Sequence, residues 1–199
     1  MSARTRRRTA EGNFSAHAAQ LPGQFADWFA SRGWHPRAHQ LDLLDKVTTG
    51  LDALLIAPTG SGKTLAGFLP SLIDLAGRRV TKRESGVHTL YISPLKALTK
   101  DIARNLATPI AEMGIPVQIE TRTGDTPQAR RARQRVLPPD ILLTTPEQIA
   151  LMLSHKSAAQ IFGSLKCVIL DELHALSASK RGDLLALDLA RLRALAPDL

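Results

Sequence analysis

The sequence is poor in the features that staple, anchor or specialise a chain. It has one cysteine, Cys167, in 199 residues, so no disulfide framework exists, which predicts a reducing compartment and a cytoplasmic location. Its apolar surroundings, Leu165 to Leu170, suit a buried thiol. No uninterrupted apolar run approaches the ~20 residues of a membrane span, so no membrane partner is expected. Aromatic residues number eight, five Phe, two Trp and one Tyr, which leaves few platforms for stacking bases. Acidic residues are the minority, 18 against 26 Lys plus Arg, and the deficit favours polyanionic partners. The Arg-rich start, Met1 to Arg8, lacks the apolar stretch that would complete a secretory signal.

What remains is an ordinary globular composition, 44% hydrophobic and 22% charged, long enough for a sizeable core. Residues 1–13, with four Arg and one Glu, carry +3 of the net +8. Residues 1–19 read as a flexible basic tail, and 20–199 as one domain.

Residues 22–31, with Phe25, Trp28 and Phe29, predict a short amphipathic helix, and Pro36 to Gly50 bracket a second. Ala53 to Ala57 reads as a buried strand, followed by a helix over Thr64–Ala76 and an exposed basic loop. Further strands are expected at Thr89–Ile92, Val117–Glu120, Ile141–Thr144 and Cys167–Leu170. Helices are expected at Leu95–Met113 (broken near Pro109), Pro127–Val136, Pro146–Leu153 and Gly182–Ala196. Five apolar strands alternating with helices indicate an α/β fold with a mainly parallel sheet flanked by helices.

Two motifs carry chemistry. The run Ala57-Pro-Thr59-Gly60-Ser61-Gly62-Lys63-Thr64 lies between a predicted strand and helix, the context a P-loop requires. Gly60 and Gly62 let backbone N–H groups turn inward on phosphate oxygens, and the helix dipole points at the same charge. Lys63 would reach the β- and γ-phosphates and Thr64 would hold Mg²⁺. Ala57 stands where the common pattern has its first glycine. The second motif, Asp171-Glu172-Leu173-His174, follows directly on an apolar strand, where ligands gather in open α/β sheets. Asp171 can hold Mg²⁺ and Glu172 can polarise water, while His174 could report nucleotide state. Alone, an Asp-Glu pair after a strand is commonplace; downstream of a P-loop it points to nucleoside-triphosphate hydrolysis.

With four further segments in order, Arg37-Ala-His-Gln40, Ser93-Pro-Leu-Lys-Ala-Leu98, Thr121-Arg-Thr-Gly-Asp-Thr126 and Thr144-Thr-Pro-Glu147, residues 25–199 resemble the first RecA-like domain of superfamily 2 DExH helicases. The resemblance is to the large helicase-related (Lhr-like) group, including its ligase-associated branch. It implies ATP and Mg²⁺ as cofactors, with hydrolysis coupled to movement on single-stranded nucleic acid, DNA in preference to RNA. Gln40 would read adenine and Arg37 would lie against the base. Residues Thr59 to Thr64 would bind nucleotide with Asp171 and Glu172, Lys63 and Glu172 being catalytic. Lys96, Thr123, Gly124 and Thr145 would contact the nucleic-acid backbone, although Ser-Pro and Thr-Pro pairs also simply start helices. A repair ligase or nuclease is the partner the analogy suggests.

The resemblance also implies that this chain lacks the second RecA-like domain and stops before a strand bearing Ser-Ala-Thr. In the family that strand lies between the P-loop strand and the Asp-Glu strand, so unpaired backbone is expected on both, with poor stability and no unwinding by the chain alone. A module that binds nucleotide or nucleic acid without turnover is the alternative function. Arg130, Arg131, Arg133 and Arg135 read as a solvated helix face, and Arg181-Gly182-Asp183 as a coincidental tripeptide. No His or Cys spacing suits a metal site.

Overall fold

The computed structural model describes residues 21–58, 60–78, 86–177 and 179–199. The expected tail, Thr59 and most of the basic loop after Arg78 lie outside them. Among the described residues no helix is long and apolar enough to cross a membrane. The chain forms two compact units, one through Ile73 and one from Asp74.

The first unit holds helices α1 (Gly23–Ser31) and α2 (Ala38–Thr48) and most of α3 (Lys63–Gly77). Helix α1 forms because Phe25, Trp28 and Phe29 recur at helical spacing and are all buried. Trp28 packs edge-on against Phe29 and Trp34, with ring centroids 5.1 and 5.7 Å away. Helix α2 buries Gln40, Leu41 and Leu44 and is followed by Gly50 at φ 77°, a backbone state glycine adopts without strain.

The segment 53–57 corrects the sequence reading. It belongs to no strand, and Leu54 and Ile56 are 74% and 86% exposed. An extended apolar run becomes a strand only by pairing, and the described sheet is built without it.

The second unit is built on four parallel strands, β1 (Thr89–Ile92), β2 (Ile119–Arg122), β3 (Ile141–Thr144) and β4 (Cys167–Leu170). Their order is β2-β3-β1-β4. The central pair, β1 and β3, is buried throughout, as their continuous apolar sequences require. The edge strand β4 is only half-buried and pairs with β1 alone. Parallel neighbours need crossovers, supplied here by α4 (Lys96–Glu112), α5 (Gln128–Val136), α6 (Pro146–Leu153) and α7 (Ala158–Phe162), followed after β4 by α8 (Leu173–Leu176) and α9 (Lys180–Leu195).

Helix α4 packs on β2 and β3. A core of Leu90, Ile92 and Leu142 with residues of α6, α7 and α9, such as Ile149, Phe162 and Leu192, gathers alternate strand positions to one face. Helix α4 runs unbroken through Pro109, contrary to the expected break. The proline is buried in the helix's last turn, so the single N–H···O bond it forfeits lies at the helix end and the turns before it keep theirs. Ahead of β1, buried His88 bonds Asp74 through Nε2 at 2.6 Å and Thr89 through Nδ1 at 2.7 Å.

Candidate nucleotide and nucleic-acid sites

In the first unit Gly60 to Gly62 form a turn leading into α3. Gly60 and Gly62 stand at φ 76° and 79°, which L-residues avoid, and the Ser61 N–H bonds the Pro58 carbonyl at 3.2 Å. Lys63 Nζ donates to the Ala57 carbonyl at 2.7 Å, so the ammonium is folded back over the loop that precedes it. Arg37 Nη1 donates to the Gly60 carbonyl at 3.4 Å, and Gln40 Nε2 to that of Gly62 at 3.3 Å. Gln40 Oε1 accepts the Arg37 N–H at 2.9 Å. Two residues predicted to meet the base are thus joined to the turn predicted to meet the phosphates.

The backbone angle requires glycine at 62, and a Cβ there would lie 2.9 Å from Gln40 Nε2 and push that amide aside. Ser61 Oγ is buried with no hydrogen-bond partner among the described residues. An orphaned hydroxyl, two glycines in left-handed geometry and a lysine at a helix start fit a polyphosphate. Thr64, in the first turn of α3, offers the oxygen that Mg²⁺ prefers.

In the second unit Asp171 and Glu172 leave the carboxyl end of β4. The Tyr91 hydroxyl donates to Asp171 Oδ2, and the Glu172 N–H to Asp171 Oδ1 at 3.0 Å. Both carboxylate oxygens are therefore oriented while lone pairs remain for a hard cation. Burial, then the hydrogen bond to Asp171, pushes the Tyr91 phenol upward, so it stays protonated as a donor. Glu172 has φ 49°, and His174 Nε2 lies 3.4 Å from its Oε2.

The predicted nucleic-acid contacts also belong to the second unit. Lys96, Gly124 and Thr145 line a cavity of about 320 Å³ with Glu147 and Arg181. They come from the ends of β1, β2 and β3, where a parallel sheet presents its ligand face. Lys96 Nζ pairs with Asp125 Oδ1 at 3.0 Å, and that contact holds the Asp125 carboxyl below the usual carboxylate range. The Thr145 side chain makes no capping hydrogen bond for α6. Burial opposes ionisation of Glu147, but bonds from Arg181, its own backbone and Thr145 together lower its pKa. Thr123 does not line the cavity. Its hydroxyl accepts the Asp125 N–H at 3.3 Å and shapes the turn.

Sequence reasoning missed three contributors. Tyr91 gave no signal beyond its place in an apolar strand. Arg181, dismissed as part of a chance tripeptide, bonds Glu147 at 2.5 Å and the Pro94 carbonyl at 2.9 Å. The arginines of α5 do more than face solvent: Arg130 and Arg133, although exposed as expected, converge on Glu120. Arg131 donates to the carbonyls of Thr123 and Gly124 at 3.2 and 2.6 Å, bracing the turn beside Lys96. Among the described residues no cluster of His, Cys, Asp or Glu suits a metal ion.

Comparison with known proteins places this geometry. Residues 37–198 match the DEAD/DEAH box helicase family. The Lhr helicase/probable uracil glycosylase of Mycolicibacterium smegmatis is 42% identical over 176 residues, covering 83% of this chain and 12% of the relative. ATP-dependent helicase Lhr-Core of Methanocaldococcus jannaschii is 37% identical over 181 residues, covering 85% of this chain and 21% of the relative. The structure of Mycobacterium smegmatis helicase Lhr bound to ssDNA and AMP-PNP superposes with a TM-score of 0.82 at 39% identity, covering 90% of this chain and 24% of that one. The chain thus spans between about an eighth and a quarter of these relatives' lengths. With the ordered motifs and the parallel α/β sheet, these matches show that the chain belongs to the DEAD/DEAH box helicases, with Lhr-like helicases among its relatives.

Proposed function

We propose that the chain is the ATP-binding portion of an ATP-dependent nucleic-acid helicase acting on single-stranded nucleic acid, DNA in preference to RNA. The observation that carries this reading is the joining of Arg37 and Gln40 to the carbonyls of Gly60 and Gly62, which couples base-reading groups to a phosphate cradle. A relative captured with ssDNA and AMP-PNP supports it.

In this reading Gln40 offers its amide to adenine, Arg37 lies against the base, and residues Thr59 to Thr64 turn backbone N–H groups on the phosphates. Lys63 exchanges the Ala57 carbonyl for phosphate oxygens. Thr64 and Asp171 would each offer an oxygen to Mg²⁺, which would supply positive charge to the phosphates. Glu172 orients the attacking water. Lys96, Gly124 and Thr145 hold the strand by its backbone, which is read without regard to sequence, and Thr123 shapes the turn that carries Gly124. A repair ligase or nuclease as partner rests on family analogy.

ATPase activity measured with and without single-stranded DNA, beside Lys63→Ala, tests the proposal. Weak hydrolysis, stimulated by the strand and abolished by the substitution, is expected of the chain alone. Nucleotide binding without turnover would identify the non-catalytic alternative, and absence of both would reject the reading.

A further inference from the structure

The cavity at the ends of β1, β2 and β3 contains a second cation that the motifs do not assign. Arg181, from the first turn of α9, reaches it from a different part of the chain than Lys96. Each cation is met by its own carboxylate, Lys96 by Asp125 at 3.0 Å and Arg181 by Glu147 at 2.5 Å. Neither pair is sealed: the side chains are 53% and 64% exposed in the first and 41% and 48% in the second. Pairs this exposed contribute only about 0–1 kcal/mol, so an incoming anion exchanges for either carboxylate at small cost.

The surroundings suit a phosphodiester. A guanidinium presents its N–H donors as a planar fork that matches phosphate oxygens, and two of Arg181's donor groups already face carboxylate and carbonyl oxygens. Gly124 leaves room at the other side, since a Cβ there would sit 3.3 Å from Lys96 Nζ. Two cations on separate elements at one cavity suit a backbone that runs past both.

We propose that Arg181 is a second phosphodiester ligand beside Lys96, and that Asp125 and Glu147 are exchangeable counter-anions that a nucleic-acid backbone displaces. The inference rests on the reading of Lys96 as a nucleic-acid contact. The carboxylates keep the two cations extended into the cavity and compete with weak anions, so that occupancy requires a ligand able to engage both.

Anisotropy of a fluorescein-labelled oligothymidylate, titrated with the full chain from about 50 to 200 mM salt, tests it. Arg181→Gln is expected to weaken binding and reduce the slope of log K against log salt by about 0.7, the value for one single-strand phosphate contact. Arg181→Lys keeps the charge and is expected to keep most of the slope. Asp125→Asn, on an exposed turn, is expected to tighten binding about two- to fivefold, the worth of one surface pair. If Lys96→Ala weakens binding while Arg181→Gln changes neither affinity nor slope, Arg181 is only a tie between α9 and α6, and the inference fails alone. If Asp125→Asn fails to tighten binding, the counter-anion role fails. If Lys96→Ala has no effect, the interface reading falls and the inference with it. Inorganic phosphate that displaces the oligonucleotide at millimolar concentration would identify a simple anion site and overturn the two-point backbone contact.

Discussion

The Tyr91 hydroxyl donates to the Asp171 carboxylate across the β1–β4 pair, joining residues 80 positions apart. Tyr91 is 2% exposed, so the phenol is a fixed part of the sheet, and it sets the direction in which the carboxylate points. Tyr91→Phe keeps the ring and removes the donor. The expected result is a folded chain whose nucleotide binding needs about 10- to 100-fold more divalent cation, as when a metal ligand loses its supporting hydrogen bond. A cation titration followed with a fluorescent ATP analogue checks it, and an unchanged midpoint would refute it.

Gly62 and Gly50 provide an internal control for the phosphate cradle. Both have φ near 80°, at 79° and 77°, but only at Gly62 would a Cβ meet another group, Gln40 Nε2. Alanine at either position should cost about 1–2 kcal/mol of backbone strain. Gly62→Ala alone should also weaken nucleotide binding, because it displaces the Gln40 amide. Melting temperature and analogue affinity, measured on both variants, separate the two effects.

His88 gives the chain a pH dependence of known sign. Burial lowers its pKa below 6.5, against the hydrogen bond it donates to Asp74, which raises it, with Arg78 lowering it further. The neutral tautomer carrying the proton on Nε2 satisfies both Asp74 and Thr89. Below about pH 6.5 the unfolded chain takes up a proton that the folded chain resists, so stability falls as pH falls through that range. Thermal unfolding between about pH 7.5 and 5.5 should show the decline, and His88→Gln should flatten it.

Asp188 on α9 is a buried carboxyl with neither oxygen hydrogen-bonded among the described residues. Arg191 lies 3.8 Å away. Burial pushes its pKa up, with Arg191 opposing, so keeping it ionised at neutral pH costs stability and protonation relieves that cost as pH falls. Asp188→Leu should raise the urea midpoint, by about 1–4 kcal/mol when multiplied by an unchanged slope. A lower midpoint would show that the carboxylate has a compensating partner.

The sequence was informative wherever a local pattern suffices. β1, β3 and β4 begin and end where their apolar runs do, because such a run closed by Ser-Pro, Thr-Pro or Asp-Glu has few other uses. β2 starts two residues later than its pattern suggests, at Ile119, because its half-buried sequence mixes apolar and charged residues. The run 53–57 reads as a strand but is none, since strandhood is settled by a neighbour and not by propensity. The turn at Gly60 and Gly62 was legible because its two glycines are demanded by backbone angle, at φ 76° and 79°. Arg181 was not, because its partners lie 34 and 87 residues away and no local pattern ties them together.

Among the described residues Glu172 is the only one other than glycine with positive φ. A side chain in that conformation costs about 1–2 kcal/mol, a burden a glycine would not carry. The chain keeps a glutamate where its backbone favours glycine, a cost that the water-orienting role proposed for Glu172 would explain. Glu172→Gly should therefore melt higher than the parent while losing hydrolysis. Variants selected for heat resistance alone would then drift away from catalysis at this position.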